Sequence, residues 1–189
     1  MTTTNILFAG FGGQGILFSG KVIAYAGLME GKEISWLPSY GPEMRGGTAN
    51  CSVCISDEPI GSPLVVNPDI LIAMNLPSLD KFVDAVVPGG TIIIDSSLID
   101  KKVTRKDVNV IYLPASQLAE DAGVKGAANM IIVGRLFKEL NFCTKENLDK
   151  GLQKSIPPKK IDLLDKNRKM IQIGMDSCKQ RGTRPFFHF

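Results

Sequence analysis

The sequence predicts an α/β protein, built as a three-layer α/β/α sandwich around a mostly parallel, mixed sheet. Short apolar runs typical of buried strands alternate with segments whose apolar residues recur at helical spacing. A glycine-rich junction joins the first predicted strand to the first predicted helix. The length of 189 residues, with 44% hydrophobic and 22% charged residues, suits one domain, 1–189, with a sizeable core.

The first half of the chain predicts a strand over 6–9 and a helix over 13–31. Gly20 and Gly27 interrupt this helix, which suggests close packing against the sheet. Strands follow over 32–39 and 48–56, joined by a glycine-rich loop too short to hold a crossover helix. These two strands are therefore expected to run antiparallel, which makes the sheet mixed.

The second half of the chain continues the alternation of strands and helices. Apolar runs predict strands over 69–74, 91–95 and 108–113. Helical spacing predicts helices over 76–86, from 114, over 127–140, from 144, and over 159–179. The last helix is charged and leads into an aromatic tail that ends Pro185-Phe186-Phe187-His188-Phe189.

Charge and targeting signals point to an ordinary cytoplasmic protein. The net charge of +3 is too small to indicate nucleic-acid binding, and the late basic residues fit a solvated helix face or an anionic partner surface. No apolar run is long enough to span a bilayer, so no membrane association is expected. The first residues lack the basic start and apolar stretch of a signal peptide.

The cysteines do not predict a metal site. Cys51 and Cys54 form a C-x-x-C within a predicted strand, where positions i and i+3 point to opposite faces. The chain has no second C-x-x-C, and its single histidine, His188, lies at the very end. We therefore expect buried core thiols, no bound metal and no iron–sulfur cluster in this chain.

The first candidate binding element is the glycine turn Gly10, Gly12, Gly13, Gln14 and Gly15. Glycines let a backbone approach a phosphate group, and a helix N-terminus attracts its charge. Gln14 either hydrogen-bonds at the helix start or is an exposed polar turn residue. A dinucleotide site would need an acidic residue at the end of the second strand. Glu33 lies at its start, so an NAD site is disfavoured.

The second candidate binding element comprises Tyr40, Glu43, Arg45, Gly46 and Gly47. An arginine on a glycine-rich loop suits a phosphate or a carboxylate through bidentate hydrogen bonds. Glu43 would position the arginine or pair with another chain, and Tyr40 adds an amphipathic ring. The alternative is a structural turn with a surface Glu–Arg pair. No nucleophile–base pair is recognisable, so no residue is predicted to be catalytic.

Several motifs together resemble the gamma subunit of 2-oxoacid:ferredoxin oxidoreductases. The resemblance is firm over about residues 5 to 140 and loose beyond. Cys51 and Cys54 are not part of the family pattern. The matching segments are residues 10–15, 40–47, 53–63, 68–69, 88–91 and 127–130, together with Gly134.

The resemblance implies one subunit of a cytoplasmic hetero-oligomer of anaerobic metabolism that is inactive alone. The family oxidatively decarboxylates a 2-oxoacid to an acyl-CoA and reduces ferredoxin. Thiamine diphosphate and iron–sulfur clusters are then expected in the alpha, beta and delta partner subunits, while this chain helps to bind coenzyme A. General similarity favours 2-oxoglutarate or a branched-chain 2-oxoacid over pyruvate. The alternatives are an NAD-linked dehydrogenase domain and a non-catalytic structural subunit.

Overall fold

A single mixed sheet organises the protein. The computed structural model describes residues 3–39, 48–177 and 180–181. Its sheet has the strand order β2-β3-β1-β4-β5-β6-β7. The strands are β1 Thr4–Phe11, β2 Glu33–Ser39, β3 Thr48–Ser56, β4 Ile70–Ala73, β5 Thr91–Asp95, β6 Asn109–Leu113 and β7 Gln180–Arg181. β1, β4, β5 and β6 run parallel, whereas β3 is antiparallel to β1 and β2, and β7 is antiparallel to β6. The predicted antiparallel pairing of the second and third strands is confirmed.

The two faces of the sheet are covered unequally. The helices are α1 Ile16–Met29, α2 Leu76–Phe82, α3 Ala115–Asp121, α4 Ala128–Leu140, α5 Lys145–Ser155 and α6 Leu164–Asp176. The core on one face, the helical face, includes side chains from α1, α3, α4, α5 and α6. The core on the opposite face, the thin face, is closed by α2 and by loop residues. No helix in the described part of the chain is long and apolar enough to cross a membrane.

Strict alternation along the strands divides the core between these faces. In β1, Ile6 and Phe8 point to the helical face, and Leu7 and Ala9 point to the thin face. Cys51 and Cys54 of β3 follow the same rule and lie in the cores on opposite faces. The predicted structural role of the two thiols is thereby confirmed. Burial raises the pKa of Cys51 to about 12 and also raises that of Cys54.

Two glycines let α1 lie close to the sheet. A methyl group at Gly20 would overlap the sulfur of Cys51 in β3, and one at Gly27 would overlap the Ile34 side chain in β2. The helix therefore approaches both strands more closely than alanine would allow. The close-packing role predicted for the two glycines is confirmed.

The structure departs most from the predicted elements at two of the helices. The helix predicted over 76–86 ends at Phe82 and continues as a 3₁₀ turn, Val83–Ala85. The Arg105 guanidinium donates to the carbonyl oxygens of Val83 and Val86, at 2.9 and 2.7 Å, and so satisfies carbonyl groups that the end of the helical segment leaves without an intrahelical partner.

The second departure concerns the last helix. Residues 158–163 form a 3₁₀ segment with a non-helical Lys160, so α6 begins only at Leu164 and ends at Asp176. The short strand β7 then pairs with β6, where the sequence predicted helix or tail. The aromatic tail from residue 182 lies outside the described residues.

Candidate functional site

The candidate site lies at the carboxyl edge of the sheet, where the parallel strands β1, β4, β5 and β6 end. In open α/β sheets, ligands bind in the crevice at this edge. The glycine turn leaves β1 here and leads directly into α1. Glu33 is the first residue of β2, at the opposite edge of the sheet, which removes it as a partner for a ribose at the glycine turn.

The residues on either side of the segment 40–47 also lie at the carboxyl edge. β2 runs parallel to β1, because both are antiparallel to β3, and it ends at Ser39. β3 begins at Thr48, which pairs with Phe11 at the end of β1. The predicted site residues of this segment, namely Tyr40, Glu43, Arg45, Gly46 and Gly47, lie outside the described residues.

The backbone of the glycine turn takes a left-handed conformation at two positions. Gly13 has φ of 93°, is exposed, and would have open space around an added methyl group. Gly15 has φ of 75° and precedes the first turn of α1. A side chain at either position would be strained. The exposed backbone of Gly12 and Gly13 is therefore available for close approach by a ligand.

Gln14 holds the turn by two hydrogen bonds within the protein. Its Oε1 accepts from the backbone N–H of Phe11 at 2.6 Å, and its Nε2 donates to the carbonyl of Met74 at 2.8 Å. Gly10 leaves room for this arrangement, since a methyl group there would lie 2.6 Å from Oε1. The bond to Met74 ties the turn after β1 to the end of β4. Hydrogen bonding by Gln14 is one of the two roles that the sequence left open, but its partner Met74, 60 positions away, could not be predicted.

Two helix N-termini meet at the glycine turn. The Asn129 side chain, in the first turn of α4, donates through Nδ2 to the carbonyl of Gly15 at 3.3 Å. Neither α1 nor α4 has a side chain that caps its N-terminus or an acidic residue in its first turn. Their first backbone N–H groups have no partner within the helix, and both helix dipoles present positive ends. The arrangement favours an anion.

Two further polar side chains organise the same edge. Asp95 ends β5, is fully buried, and accepts hydrogen bonds from the backbone N–H of Ser97 and the hydroxyl of Ser116, at 3.1 and 2.6 Å. It therefore joins β5 to α3. Asn75 follows β4, and its Oδ1 caps α2 by accepting from the N–H of Ser78 at 2.8 Å.

The described residues of this edge offer few side chains that could act in acid–base or metal chemistry. Among residues 3–39, 48–177 and 180–181, no cluster of three His, Cys, Asp or Glu side chains could hold a metal ion. The described part of the edge combines backbone N–H groups, amide side chains and one buried, fully engaged carboxylate. This chemistry can bind and orient an anionic ligand.

Comparison with known proteins identifies the family. The family model described as pyruvate ferredoxin/flavodoxin oxidoreductase matches residues 5–177. The chain belongs to this family. The resemblance to gamma subunits of 2-oxoacid:ferredoxin oxidoreductases is confirmed, since solved and curated relatives include such subunits.

Two sequence relatives illustrate that members of this family differ in length. The chain is 37% identical over 176 residues to ketoisovalerate oxidoreductase subunit VorA of Methanothermobacter thermautotrophicus, covering 93% of this chain but 36% of the relative. It is 37% identical over 155 residues to 2-oxoglutarate synthase subunit KorC of Methanocaldococcus jannaschii, covering 80% and 83%. The chain thus spans about a third of the length of the first curated relatives it matches.

Two solved structures share the fold. The gamma subunit of a keto/oxoacid ferredoxin oxidoreductase from Geobacter sulfurreducens superposes with a TM-score of 0.78 and 28% identity, over 90% of this chain and 95% of that one. The 2-oxoglutarate:ferredoxin oxidoreductase from Magnetococcus marinus, with 2-oxoglutarate, coenzyme A and succinyl-CoA bound, gives a TM-score of 0.83 and 25% identity. The match covers 97% of this chain and 33% of that chain. The predicted fold class is confirmed.

Proposed function

We propose that this chain is the gamma subunit of a cytoplasmic 2-oxoacid:ferredoxin oxidoreductase and binds coenzyme A at the carboxyl edge of its sheet. The enzyme converts a 2-oxoacid, with 2-oxoglutarate or a branched-chain 2-oxoacid favoured, to its acyl-CoA. Alpha, beta and delta subunits supply thiamine diphosphate and the iron–sulfur clusters, and ferredoxin accepts the electrons. Residues 1–189 act as one domain, which is inactive by itself.

One observation carries the coenzyme A assignment. The uncapped N-termini of α1 and α4 converge on a glycine turn whose exposed backbone includes a left-handed Gly13. Coenzyme A carries phosphate groups, which such N–H groups bind. The family match and the related 2-oxoglutarate enzyme with coenzyme A bound support the choice of this ligand. In this proposal Gln14 and Asn129 position the turn.

The segment 40–47 supplies the side-chain charge in this proposal. The residues that flank it, Ser39 and Thr48, lie at the carboxyl edge, and this supports the assignment of Arg45 to the same ligand. A planar guanidinium would bind a phosphate or a carboxylate through two hydrogen bonds, and lysine would not replace it. We expect Arg45→Lys and Arg45→Ala to raise the KM for coenzyme A by roughly tenfold to a hundredfold in the assembled enzyme, since a charge-assisted hydrogen bond contributes about 1.5–3 kcal/mol. Unchanged kinetics for coenzyme A and the 2-oxoacid would exclude a ligand contact.

The decisive experiment compares two glycines with similar backbone geometry. Gly13 and Gly31 have φ of 93° and 80°, and both have open space around an added methyl group. Gly31 follows α1 at the opposite edge of the sheet. Alanine should strain both turns by about 1–2 kcal/mol. Both variants should lose similar thermal stability.

The prediction for coenzyme A separates the two variants. In the assembled enzyme, Gly13→Ala should raise the KM for coenzyme A severalfold because the added methyl group obstructs the ligand. Gly31→Ala should leave this KM unchanged. Equal KM values for both variants and wild type would contradict the coenzyme A site. Saturable binding of NADH by the assembled enzyme, with no response to coenzyme A, would favour the dehydrogenase alternative.

A further inference from the structure

Two buried polar side-chain atoms at the carboxyl edge of the sheet have no hydrogen-bond partner in the described part of the chain. They are Nδ2 of Asn75, which follows β4, and Oγ of Ser78, in the first turn of α2. Asn75 is 3% exposed and Ser78 is fully buried. Among the residues that the structure describes, only Arg135 Nε in α4 shares this condition. Buried polar groups are almost always hydrogen-bonded, so two unused ones in a single turn require an explanation.

The N-cap of α2 fixes the orientation of the Asn75 amide. Its Oδ1 accepts from the backbone N–H of Ser78 at 2.8 Å, and its backbone carbonyl accepts from the N–H of Leu79 at 3.2 Å. Turning the amide over would set its NH₂ group against the Ser78 N–H, so that two donors would face each other. Nδ2 therefore remains an unused donor, and the Ser78 hydroxyl in the same turn remains unused as well.

These two unused groups lie next to the glycine turn. Asn75 directly follows Met74, whose carbonyl accepts from Gln14 Nε2 at 2.8 Å. β1 and β4 are neighbouring parallel strands, and such strands lie about 4.8 Å apart. Leu76, between the two residues in sequence, is 41% exposed. The turn that carries the unused groups therefore reaches the surface beside the candidate phosphate site.

The chemistry of the two groups favours a neutral hydrogen-bond acceptor. An amide NH₂ and a hydroxyl both donate, and neither carries a charge. The N–H groups of Ser78 and Leu79 already bond to Asn75, so they are not available to an anion. The Leu79 side chain lies in the core on the thin face, an apolar environment in which an ionised phosphate would lose its hydration. An amide carbonyl flanked by apolar groups fits these donors and the exposed Leu76 together.

We propose that Asn75 Nδ2 and Ser78 Oγ hydrogen-bond an amide carbonyl in the pantetheine arm of coenzyme A. The inference rests on the proposed function, because phosphates held at the glycine turn fix where this arm begins. In coenzyme A, a short carbon chain with two methyl groups joins the diphosphate to the first amide. Leu76 contacts these methyl groups, and rotation of its exposed side chain opens the way to the donors.

The strand order gives the ligand a direction. β4 and β3 flank β1 on opposite sides. The pantetheine arm extends from the glycine turn over β4, which leaves the side of β3 for the nucleotide end. Changes at Asn75 or Ser78 should therefore weaken binding of the arm and leave binding of the nucleotide end unaltered.

The test compares three variants in the assembled enzyme. Ser78→Ala removes the unused hydroxyl, and Asn75→Asp removes the Nδ2 donor but keeps an oxygen that can cap α2. Ser155→Ala is the matched control, because Ser155 is a buried serine of α5 whose hydroxyl donates to the Gly151 carbonyl at 2.7 Å. The KM for coenzyme A is measured together with the inhibition constant of adenosine 3′,5′-bisphosphate, which has the nucleotide end of coenzyme A but no pantetheine arm. The melting temperature of each purified chain is the folding control.

We expect Ser78→Ala to raise the KM for coenzyme A roughly threefold to tenfold and Asn75→Asp to raise it about tenfold, from the loss of one hydrogen bond each. The inhibition constant of adenosine 3′,5′-bisphosphate should stay within about twofold of wild type. The Ser78→Ala chain should melt at or above the wild-type temperature, because it loses an unpaired buried hydroxyl and gains a better helix former. Ser155→Ala should leave the KM and the inhibition constant unchanged.

Four results would overturn the proposal. The first is an unchanged KM for coenzyme A in both Asn75→Asp and Ser78→Ala. The second is an equal rise in the inhibition constant of adenosine 3′,5′-bisphosphate, which would place the nucleotide end at these donors. The third is a higher KM for the 2-oxoacid alone, which would assign the donors to that substrate. The fourth is weaker binding of the other subunits with unchanged KM values, which would assign the donors to a partner chain.

Gly13→Ala separates failure of this contact from failure of the coenzyme A site at the glycine turn. A raised KM for coenzyme A in Ser78→Ala with a normal KM in Gly13→Ala would refute the glycine turn as the phosphate site and support the pantetheine contact. A raised KM in Gly13→Ala with a normal KM in Ser78→Ala and Asn75→Asp would support the phosphate site and refute the pantetheine contact.

Discussion

Replacing Gln14 by methionine removes both hydrogen bonds that fix the glycine turn while keeping a similar side-chain length. The bond to the Phe11 N–H is exposed and the bond to the Met74 carbonyl is partly buried. A typical hydrogen bond contributes about 0.5–1.5 kcal/mol, so the two together contribute about 2 kcal/mol. For a domain of this size, the melting temperature should fall by about 4–8 °C.

Replacing Gln14 by glutamate separates the two bonds. The carboxylate still accepts from the Phe11 N–H, but its second oxygen faces the Met74 carbonyl oxygen, where Nε2 donates at 2.8 Å in the native chain. The protonated carboxyl group can restore that donor, so the folded state binds this proton more tightly than the unfolded state. Stability of Gln14→Glu relative to wild type should therefore rise as the pH falls from 8 to 5 and be lost as the pH rises.

The assay is thermal unfolding of the purified chain at several pH values, with Gln153→Met as the control. Gln153 makes one exposed bond to Asp149 on α5, so its loss should change the melting temperature by much less. In the assembled enzyme, Gln14→Met should also raise the KM for coenzyme A severalfold, because a relaxed turn misplaces its N–H groups. A wild-type melting temperature for Gln14→Met, or no pH dependence in Gln14→Glu relative to wild type, would refute this reasoning.

The remaining predictions concern packing, thiols and acid stability. Gly134→Ala should lower the urea midpoint by the equivalent of about 1–3 kcal/mol, because the added methyl group would overlap a backbone carbonyl of α6; an unchanged midpoint would contradict the close helix packing. Cys51 and Cys143 should resist iodoacetamide at pH 8 in the native chain and react in denaturant, because burial raises the pKa of each thiol to about 12. Peptide mapping that shows rapid labelling of the native chain would argue against this burial. In Glu30→Gln, the stability deficit relative to wild type should shrink below pH 4.5. A hydrogen bond from Asn147 lowers the pKa of the native carboxyl group below its ordinary value of 4.5, so the stability that this group contributes is lost as the pH falls through the lowered value. A constant deficit in urea unfolding from pH 7 to 3.5 would contradict this prediction.

Much of the architecture was predictable because it depends on local patterns. The alternation of apolar runs with helical spacing located the six strands β1 to β6 and the cores of the helices. The short loop after β2 predicted antiparallel pairing, and strand alternation predicted that Cys51 and Cys54 separate. The start of α6 at Leu164 was not predictable, since the non-helical Lys160 interrupts a charged stretch that otherwise has helical composition.

The candidate site was predictable only in outline. The glycine turn follows from its sequence, and the left-handed Gly13 and Gly15 fit its glycine content. The role of Gln14 did not follow, since its Nε2 partner, Met74, is 60 residues away. Asn129 drew attention only as part of a resembling motif. Its bond to Gly15 joins residues 114 positions apart.

The sequence by itself determined the fold class, the antiparallel pairing of β2 with β3, the family and the glycine turn, because each depends on residues close together in the chain. Only the tertiary structure decided that β3 inserts between β2 and β1 and that the N-termini of α1 and α4 converge. These arrangements depend on strand order. Strand order follows from the burial of the whole core, and no local pattern of residues encodes it.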